Sequence, residues 1–515
     1  MRQTISTEKI NNTLFIAIMV LVFFMMTGID PGMGAVPMTD TNIEIAVEGE
    51  LAGDQAVPSH LVDIQSTDGI VTLTGSVNTL LAKERALAIA ETVKGVRSVV
   101  NRIEVIPVIQ KTDAEIYTDV AAALLVDPVT ESLTIDVSVD DNVVTLDGNV
   151  DSYLEKQAAG KVAKSISGVK GVKNLLTHDY KTSRSDTELA DEIKAALQWD
   201  TLVDDALMQV SVKNRKVSLE GTVGSAAEKR RAITKAWLPG GIKDVDARRL
   251  SVERWARDKD LRAEKYGLKS DDEIRAAVDS AISYDPRVLS TAVNIHVDTA
   301  RVTLTGKVTT LSARQAAAQD ARNTVGVIQV KNQLKVIPPA EAISSQKLEQ
   351  LILDKFKRDA YVDRYDITVN ALGGLVNLYG TVTSYYEKAR AEDLASEVKG
   401  VYSVNNNLFV QKTWDPYVYN PYVDDPYIYD YEWYAYQPNL TVTIDDQEIK
   451  DNIENELFWS PFVDSDQVTV MVEDGKATLT GQVDSWSEYD AAAQNALEGG
   501  AVVVDNELTI STVNP

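Results

Sequence analysis

The chain has 515 residues, of which 44% are hydrophobic and 25% charged, a balance typical of globular proteins and unlike that of disordered or collagen-like chains. Its 51 basic and 77 acidic residues leave a net charge of −26, which disfavours binding to the phosphates of nucleic acids. The absence of Cys and the presence of only three His exclude disulfides, thiolate metal sites and cysteine nucleophiles, so the composition argues against an enzyme, and we expect no cofactor and no metal site.

The N-terminus has the features of a signal peptide. Arg2 and Lys9 precede an apolar run, Leu14–Met26, which is shorter than the roughly 20 residues that a membrane-spanning helix needs. Small residues follow the run, and we predict cleavage near Ala35, so that residues 1–35 are removed and the mature protein is periplasmic or secreted. The alternative is an inner-membrane anchor through residues 14–26.

One short pattern, apolar-x-Leu-x-Gly-x-Val, occurs six times, and a second glycine follows each pattern glycine by 20 residues, or by 19 in the last copy. This spacing predicts six copies of one unit, which we call modules 1 to 6, at residues 40–108, 112–180, 185–254, 270–338, 345–412 and 439–512. We expect a Cβ to clash at the first glycine of each pair, and we expect the second glycine to end a helix. The paired structural glycines are Gly75 and Gly95, Gly148 and Gly168, Gly221 and Gly241, Gly306 and Gly326, Gly380 and Gly400, and Gly481 and Gly500.

Each module has the same predicted order of elements. In module 2, an amphipathic helix over Ala114–Leu125 precedes two alternating strands, Leu133–Val139 and Val143–Val150. A second helix begins after a hydroxyl residue such as Ser152, and a last strand such as Val330–Ile337 in module 4 completes the unit. The fold class is therefore α+β, with tandem α-β-β-α-β modules, each a small three-stranded sheet with two helices on one face. We expect the modules to be strung like beads, with few contacts between non-neighbours.

This order resembles the BON domain family. The most specific element is the recurrent Leu-x-Gly-x-Val followed about 20 residues later by Gly-Val, as in GVKGVKN from Gly168 to Asn174. Module 3 departs from the pattern, because it reads GIKDVDA and lacks the Asn. The resemblance implies export to the bacterial envelope, no catalysis, and attachment to phospholipid surfaces or other envelope proteins. The known osmotically induced periplasmic members suggest a role in osmotic or envelope stress protection.

The second helix of module 3 concentrates positive charge beside a tryptophan. A cationic helix with an aromatic residue suits the headgroup layer of an anionic membrane. The alternative is an ordinary polar helix face with the Trp in the core. The candidate lipid-binding residues are Lys229, Arg230, Arg231, Lys235 and Trp237.

The C-terminal part of the chain is strongly acidic. Residues 413–515 contain 21 acidic residues against Lys450 and Lys476, so contact with anionic lipid there would need divalent-cation bridging. The alternative is a solvated, self-repelling surface.

Two segments lie between modules. Residues 255–269 are a charged linker, and residues 413–438 are a Tyr/Pro-rich insert whose Pro content disfavours a helix. Dense aromatics can stack on sugars, peptide prolines or headgroups, although a semi-rigid spacer is the alternative. The candidate partner-binding residues of the insert are Trp414, Tyr417, Tyr422, Tyr427 and Trp433.

Two function classes follow from the sequence. The first is a non-enzymatic, exported envelope protein that binds phospholipid surfaces or envelope proteins through repeated weak sites, where tethering raises the overall affinity. The alternative is an extracellular structural or adhesive repeat protein whose Tyr/Pro segment is the interaction element.

Overall fold

The computed structural model describes residues 39–54, 56–131, 134–178, 184–257, 265–288, 292–339, 341–362, 366–410, 445–460 and 462–510. The predicted signal peptide and the Tyr/Pro-rich insert lie outside these residues. Within the described ranges, the longest apolar helices are too short or too polar to cross a bilayer.

Twelve α-helices and 21 strands are described in these ranges. Module 1 contains α1 (Asp40–Gly53), β1 (Val62–Thr67), β2 (Ile70–Val77), α2 (Leu80–Thr92), β3 (Ser98–Asn101) and β4 (Glu104–Val105). Module 2 contains α3 (Asp113–Val126), β5 (Ile135–Asp140), β6 (Val143–Val150), α4 (Tyr153–Lys164), β7 (Gly171–Asn174) and β8 (Thr177–His178). Module 3 contains α5 (Asp186–Gln198), β9 (Met208–Lys213), β10 (Lys216–Val223), α6 (Ala226–Ala236) and β11 (Asp244–Val252).

The second half of the chain repeats this order. Module 4 contains α7 (Asp271–Tyr284), β12 (Val293–Asp298), β13 (Arg301–Val308), α8 (Leu311–Arg322) and β14 (Gln329–Val336). Module 5 contains α9 (Ser345–Arg358), β15 (Ile367–Leu372), β16 (Leu375–Val382), α10 (Tyr385–Ser396) and β17 (Ser403–Val410). Module 6 contains α11 (Asp446–Trp459), β18 (Val468–Glu473), β19 (Lys476–Val483), α12 (Trp486–Glu498), β20 (Val503–Asn506) and β21 (Thr509–Ile510). The predicted α-β-β-α-β order is confirmed, with the last strand divided in modules 1, 2 and 6.

Each module forms one small sheet with the pattern's glycine strand in the middle. In module 4, β12 pairs antiparallel with β13, and β14 returns parallel to β13 after α8. Val302 and Leu304 alternate inward and are almost fully buried against Ile274 of α7 and Ala317 of α8. Because both helices cover this face, the opposite face of the sheet carries the outward side chains, and each module has its own core.

The hairpin between the first two strands is held by the first helix. In module 1, Asp68 and Gly69 both have positive φ, and their N–H groups donate to the Asp40 carboxylate at the start of α1. These bonds, with one from Ser66, lower the pKa of Asp40. The equivalent carboxylates in modules 2, 3, 4 and 6 are Asp113, Asp186, Asp271 and Asp446.

The first glycine of each pair lies against main chain. A Cβ on Gly306 would lie 2.0 Å from the carbonyl oxygen of Ala292, just before β12, and its φ is +124°. The neighbouring atom is therefore a backbone oxygen of the incoming chain. In module 6 the helix ends at the second glycine as expected, because α12 stops at Glu498 and is followed by Gly499 and by Gly500, which has a positive φ. In module 4 it does not, since α8 stops at Arg322, four residues before Gly326. The intervening residues form a turn, and Gly326 adopts a φ of +84° beyond it.

An asparagine side chain ties the last strand to the second helix. In module 4 the Asn332 amide donates to the Arg314 carbonyl at 2.7 Å, and its oxygen accepts from the Leu334 N–H. Asn101, Asn174, Asn406 and Asn506 repeat this arrangement. Module 3 has Ala247 in the corresponding region, and Lys229 makes the link instead by donating to the Leu250 carbonyl.

We expected few contacts between modules that are not adjacent in sequence, and this expectation is wrong. Modules 2 and 5 join through an antiparallel bridge between Ile166 and Asp359, flanked by two main-chain hydrogen bonds of 3.0 Å. Modules 3 and 4 join in the same way through Asp200 and Thr324. The expectation failed because these contacts are made by main chain at helix ends, which sequence patterns do not reveal.

Side-chain contacts extend the assembly beyond these pairs. Modules 1, 2 and 3 contact one another in a closed ring, through Lys164 with Glu84, Tyr153 with Trp237, and Arg230 with Glu91. Module 4 contacts modules 5 and 6, because Leu311 packs in the core of module 5 and Ser487 donates to Asn323. The helices of different modules therefore face one another at the centre.

Candidate functional site

A cavity of about 1330 Å³ lies where the helices of modules 1 to 5 meet. Eleven basic and nine acidic residues line it, although acidic residues outnumber basic ones in the whole chain. Each of the five modules contributes at least one basic side chain to the lining. One example from each module in turn is Arg85, Lys161, Arg231, Arg287 and Arg390.

Three of the predicted lipid-binding cations on α6 point towards this centre. Arg231 and Lys235 both contact the buried Asp200 carboxylate, at 2.7 and 2.6 Å. Burial alone would raise the pKa of Asp200, but these two cations more than offset burial and hold it well below its usual range. Arg230 pairs across the module boundary with Glu91 at 2.6 Å.

The other two predicted lipid-binding residues also lie in internal contacts. Lys229 links α6 to β11 by donating a hydrogen bond to the Leu250 carbonyl, and burial lowers the pKa of its ammonium group. The Trp237 ring stacks on Tyr153 of module 2 with 4.6 Å between centroids, and His178 meets it edge-on. Helix α6 therefore joins module 3 to modules 1 and 2 in this arrangement.

A second charged cluster lies between modules 2 and 5. Arg390 pairs with the buried Asp359 at 2.8 Å, and Lys355 pairs with Glu397 at 2.5 Å. Burial, followed by the charges of Arg390 and Arg287, lowers the pKa of Lys161 to about 8, against the opposing charges of Glu397 and Asp393. Cations from modules 2, 4 and 5 therefore approach one another here.

A third cluster lies between modules 3 and 4. Arg287 holds Asp285 by contacts down to 2.5 Å, and the buried Asp320 lies beside this pair. Burial, reinforced by the Asp285 charge, raises the pKa of Asp320 well above its usual range.

The sequence carried a signal for these ion pairs that our sequence analysis missed. In modules 1, 3 and 5 an Asp after the first helix pairs with an Arg 31 residues later on the second helix. The pairs are Asp54 with Arg85, Asp200 with Arg231 and Asp359 with Arg390. Even-numbered modules have Ala at the Arg position, namely Ala158, Ala316 and Ala491. Odd-numbered modules thus have the Arg and its ion pair with the Asp, whereas even-numbered modules have Ala at that position.

The outward sheet face of module 5 is a second candidate surface. Its three strands contain no charged residue, whereas each of the other five sheets contains charged residues. Leu372 and Leu375 are paired across the hairpin and are 72% and 49% exposed. Tyr379 and Phe409, the latter 67% exposed, lie near the other end of the same face. The missing charges in these strands are a signal that the sequence analysis also overlooked.

The five predicted partner-binding aromatics of the Tyr/Pro-rich insert lie outside the described residues. In the described part of the chain, no three His, Asp or Glu side chains are grouped to hold a metal ion. Three buried carboxylates of the cavity, Asp200, Asp285 and Asp359, instead pair with Arg or Lys.

Comparison with known proteins agrees with the fold. The family model described as "BON domain" matches residues 39–107, 112–179, 185–254, 270–338, 344–412 and 445–512. Osmotically-inducible protein Y of Escherichia coli is 31% identical over 145 residues, covering 27% of this chain and 72% of that protein. Outer membrane lipoprotein DolP of Haemophilus influenzae is 31% identical over 148 residues, covering 28% of this chain and 76% of that protein.

A solved structure of CdsD, a structural protein of the type III secretion system of Chlamydia trachomatis, also matches at 15% identity. The match covers 41% of this chain and 91% of that chain, with a TM-score of 0.12. A score this low carries no argument about function.

Proposed function

The chain belongs to the BON domain family, and from that premise we propose that it is a non-enzymatic, exported protein of the bacterial envelope that binds phospholipid surfaces. The names of its relatives, one osmotically inducible and one an outer membrane lipoprotein, support an envelope location and a role in osmotic stress. Envelope proteins are the other class of partner that the family resemblance suggests.

The observation that carries this proposal is the uncharged outward face of module 5. A bilayer interface accepts exposed Leu, Phe and Tyr side chains, because apolar groups enter the acyl boundary while the Tyr hydroxyl remains hydrated. A face without carboxylates also avoids the repulsion that an anionic membrane would exert on the rest of this acidic chain. Exposed apolar patches on soluble proteins commonly mark interaction sites.

Contact between lipid and the basic helix α6 remains a prediction. Arg230 contacts Glu91 of module 1, so lipid binding through it would require module 3 to separate from module 1. The other cations would have to leave Asp200 and the Leu250 carbonyl within module 3. Contact through module 5 requires no such separation.

Vesicle sedimentation tests the proposal. The mature chain is mixed with phosphatidylglycerol vesicles at low and high salt, and variants Leu372→Asp and Phe409→Asp are compared with Met471→Asp. Met471 is 57% exposed on the sheet of module 6, which makes it a matched control. We expect binding that persists in high salt and falls about tenfold in the module 5 variants only, since each loses roughly 1.5–3 kcal/mol of buried side-chain transfer.

A variant with Gln at Lys229, Arg230, Arg231 and Lys235 separates the two surfaces. If it alone lost binding, and did so in a salt-dependent way, α6 would be the lipid contact. If neither the wild type nor any variant sedimented with the vesicles, with or without calcium, phospholipid binding would be contradicted. Envelope proteins would then remain as the partner class.

A further inference from the structure

A row of three asparagines crosses the outward face of module 5. Asn370 of β15 is paired with Asn377 of β16, and Asn377 is paired with Asn405 of β17, so the three residues lie side by side across the sheet. The Asn405 amide donates to the Asn377 side-chain oxygen at 2.9 Å. Because neighbouring strands lie about 4.8 Å apart, the row is about 10 Å long.

This row of carboxamides is particular to module 5. In the other five modules the middle residue of the same row is Thr or Ser, and the last strand contributes a charged or an apolar residue. These residues of the last strand are Val100, Lys173, Asp246, Lys331 and Asp505. Module 5 is therefore the module that presents an uncharged hydrogen-bonding group on all three strands.

The carboxamides of this row are available to a ligand. A carboxamide can donate and accept hydrogen bonds, as a hydroxyl group can, and it has no charge with which to pair a phosphate. Asn370 is exposed, and its side chain makes no hydrogen bond within the described part of the chain. The bond between Asn405 and Asn377 leaves the Asn377 amide group and the Asn405 side-chain oxygen free to bond outward.

Apolar side chains flank the row on both sides. Leu372 and Leu375 lie two residues beyond it towards the hairpin, and Tyr379 lies two residues beyond it in the other direction. Phe409 lies further along the same face. A bilayer that takes up these side chains brings its headgroups against the asparagines. Since a desolvated carboxamide without a partner is unfavourable, the headgroups that can bond to it are preferred.

We propose that the outward face of module 5 selects lipids with an uncharged sugar headgroup, whose hydroxyls are bound by Asn370, Asn377 and Asn405. This inference rests on the proposed function, since the same face must first contact a bilayer. An uncharged headgroup also suits a chain of net charge −26, which an anionic bilayer repels. A sugar offers hydroxyl donors and acceptors to the row, whereas a choline headgroup has no hydrogen-bond donor.

Vesicle sedimentation of the whole mature chain tests this selection. Three compositions are compared: phosphatidylcholine alone, phosphatidylcholine with digalactosyl diacylglycerol, and phosphatidylcholine with phosphatidylglycerol. Variant Asn370→Leu removes one carboxamide and keeps an apolar side chain on the face. Variant Asn294→Leu is the matched control, because Asn294 is an exposed asparagine on β12 of module 4.

We expect the wild type and Asn294→Leu to bind the galactolipid vesicles about tenfold more tightly than the other two compositions. Asn370→Leu should lose about fivefold of this preference without binding phosphatidylcholine more weakly. A folding defect would weaken binding to every composition, so the ratio between compositions isolates the headgroup contact. Soluble digalactose should not compete, because it lacks acyl chains. Full competition would make a free sugar the ligand and overturn the assignment to lipid.

The failure of this inference is distinguishable from that of the proposed function. Equal wild-type binding to all three compositions, tighter binding to phosphatidylglycerol than to galactolipid, or an unchanged preference in Asn370→Leu would overturn the selection of sugar headgroups alone. Wild-type binding to none of the three compositions would overturn both.

Discussion

The ammonium group of Lys94 in module 1 lies 2.7 Å from the main-chain carbonyl oxygen of Phe458 in module 6, and 4.7 Å from the centre of that residue's ring. The first and last modules therefore touch, although 364 residues separate these positions. With the bridges between modules 2 and 5 and between modules 3 and 4, this contact completes a nested pairing. The first module pairs with the sixth, the second with the fifth and the third with the fourth.

The assembly can be tested by cross-linking, because the chain has no native Cys. The hydroxyls of Thr201 in module 3 and Ser487 in module 6 are 3.2 Å apart, so a Thr201→Cys/Ser487→Cys variant should form a disulfide on mild oxidation. The closed loop should migrate faster on a non-reducing gel than the reduced chain.

The control for this cross-link pairs Thr201→Cys with Ser138→Cys, since Ser138 is exposed on the sheet of module 2. We expect no intramolecular disulfide in that variant. Equal cross-linking in both variants would indicate modules that move independently.

The first glycine of each module should tolerate no side chain. Gly306→Ala places a Cβ 2.0 Å from the Ala292 carbonyl oxygen, at a φ where side chains are strained, so module 4 should lose about 3 kcal/mol or more. Gly49→Ala is the matched control, because Gly49 lies within α1 and has no neighbouring atom within 4 Å of an added Cβ. Its substitution should stabilise module 1 by about 0.5–1 kcal/mol. Chemical denaturation followed by circular dichroism measures both changes.

The asparagine between strand and helix should contribute to the stability of each module that has it. Asn332→Ala leaves two partly buried groups, the Arg314 carbonyl and the Leu334 N–H, without their hydrogen-bond partner. We expect a loss of about 1–3 kcal/mol, visible as faster amide hydrogen exchange in β14. Asn294→Ala, on the exposed face of β12, should leave exchange in β14 unchanged.

The junction of modules 1 and 6 should weaken as the pH rises. Burial raises the pKa of Glu456 to about 7, and burial together with the charge of Glu456 raises that of Glu498 to about 8, against an ordinary value of 4.5. Burial, followed by the charges of Glu498, Glu456 and Asp54, also raises the pKa of Glu50 well above this value.

The folded protein therefore binds more protons than the unfolded chain between about pH 4.5 and 8, and its stability falls as the pH rises through this window. Glu498→Gln should flatten the dependence of the melting temperature on pH, whereas Glu473→Gln, on an exposed position of β18, should not. A steeper slope in Glu498→Gln would contradict the assignment of this junction.

Local structure followed from local sequence more closely than the assembly did. The Asp68–Gly69 and Asp474–Gly475 turns agree with their residue types, because Asp and Gly accept positive φ, and all four residues adopt it. The residue types of the module 4 turn do not indicate it, because Thr299 and Ala300 rarely adopt such angles. The Asp271 carboxylate binds both of their N–H groups and holds them there.

The candidate sites were harder to predict, because their partners are distant in sequence. The cluster on α6 was visible as a run of cations, but Glu91 lies in another module and Asp200 precedes Arg231 by 31 residues. The sequence therefore showed the charge without showing that carboxylates face it. The absence of the Asn in module 3 was also visible in the sequence. The sequence did not show that Lys229 supplies a hydrogen bond in its place.

The bridges at Ile166–Asp359 and Asp200–Thr324 are formed by main-chain groups, which every residue except proline supplies in full. Such a joint survives substitution of the side chains around it. Modules 2 to 5 can therefore differ in charge, as the uncharged sheet of module 5 does, while the two bridges keep the same hydrogen bonds.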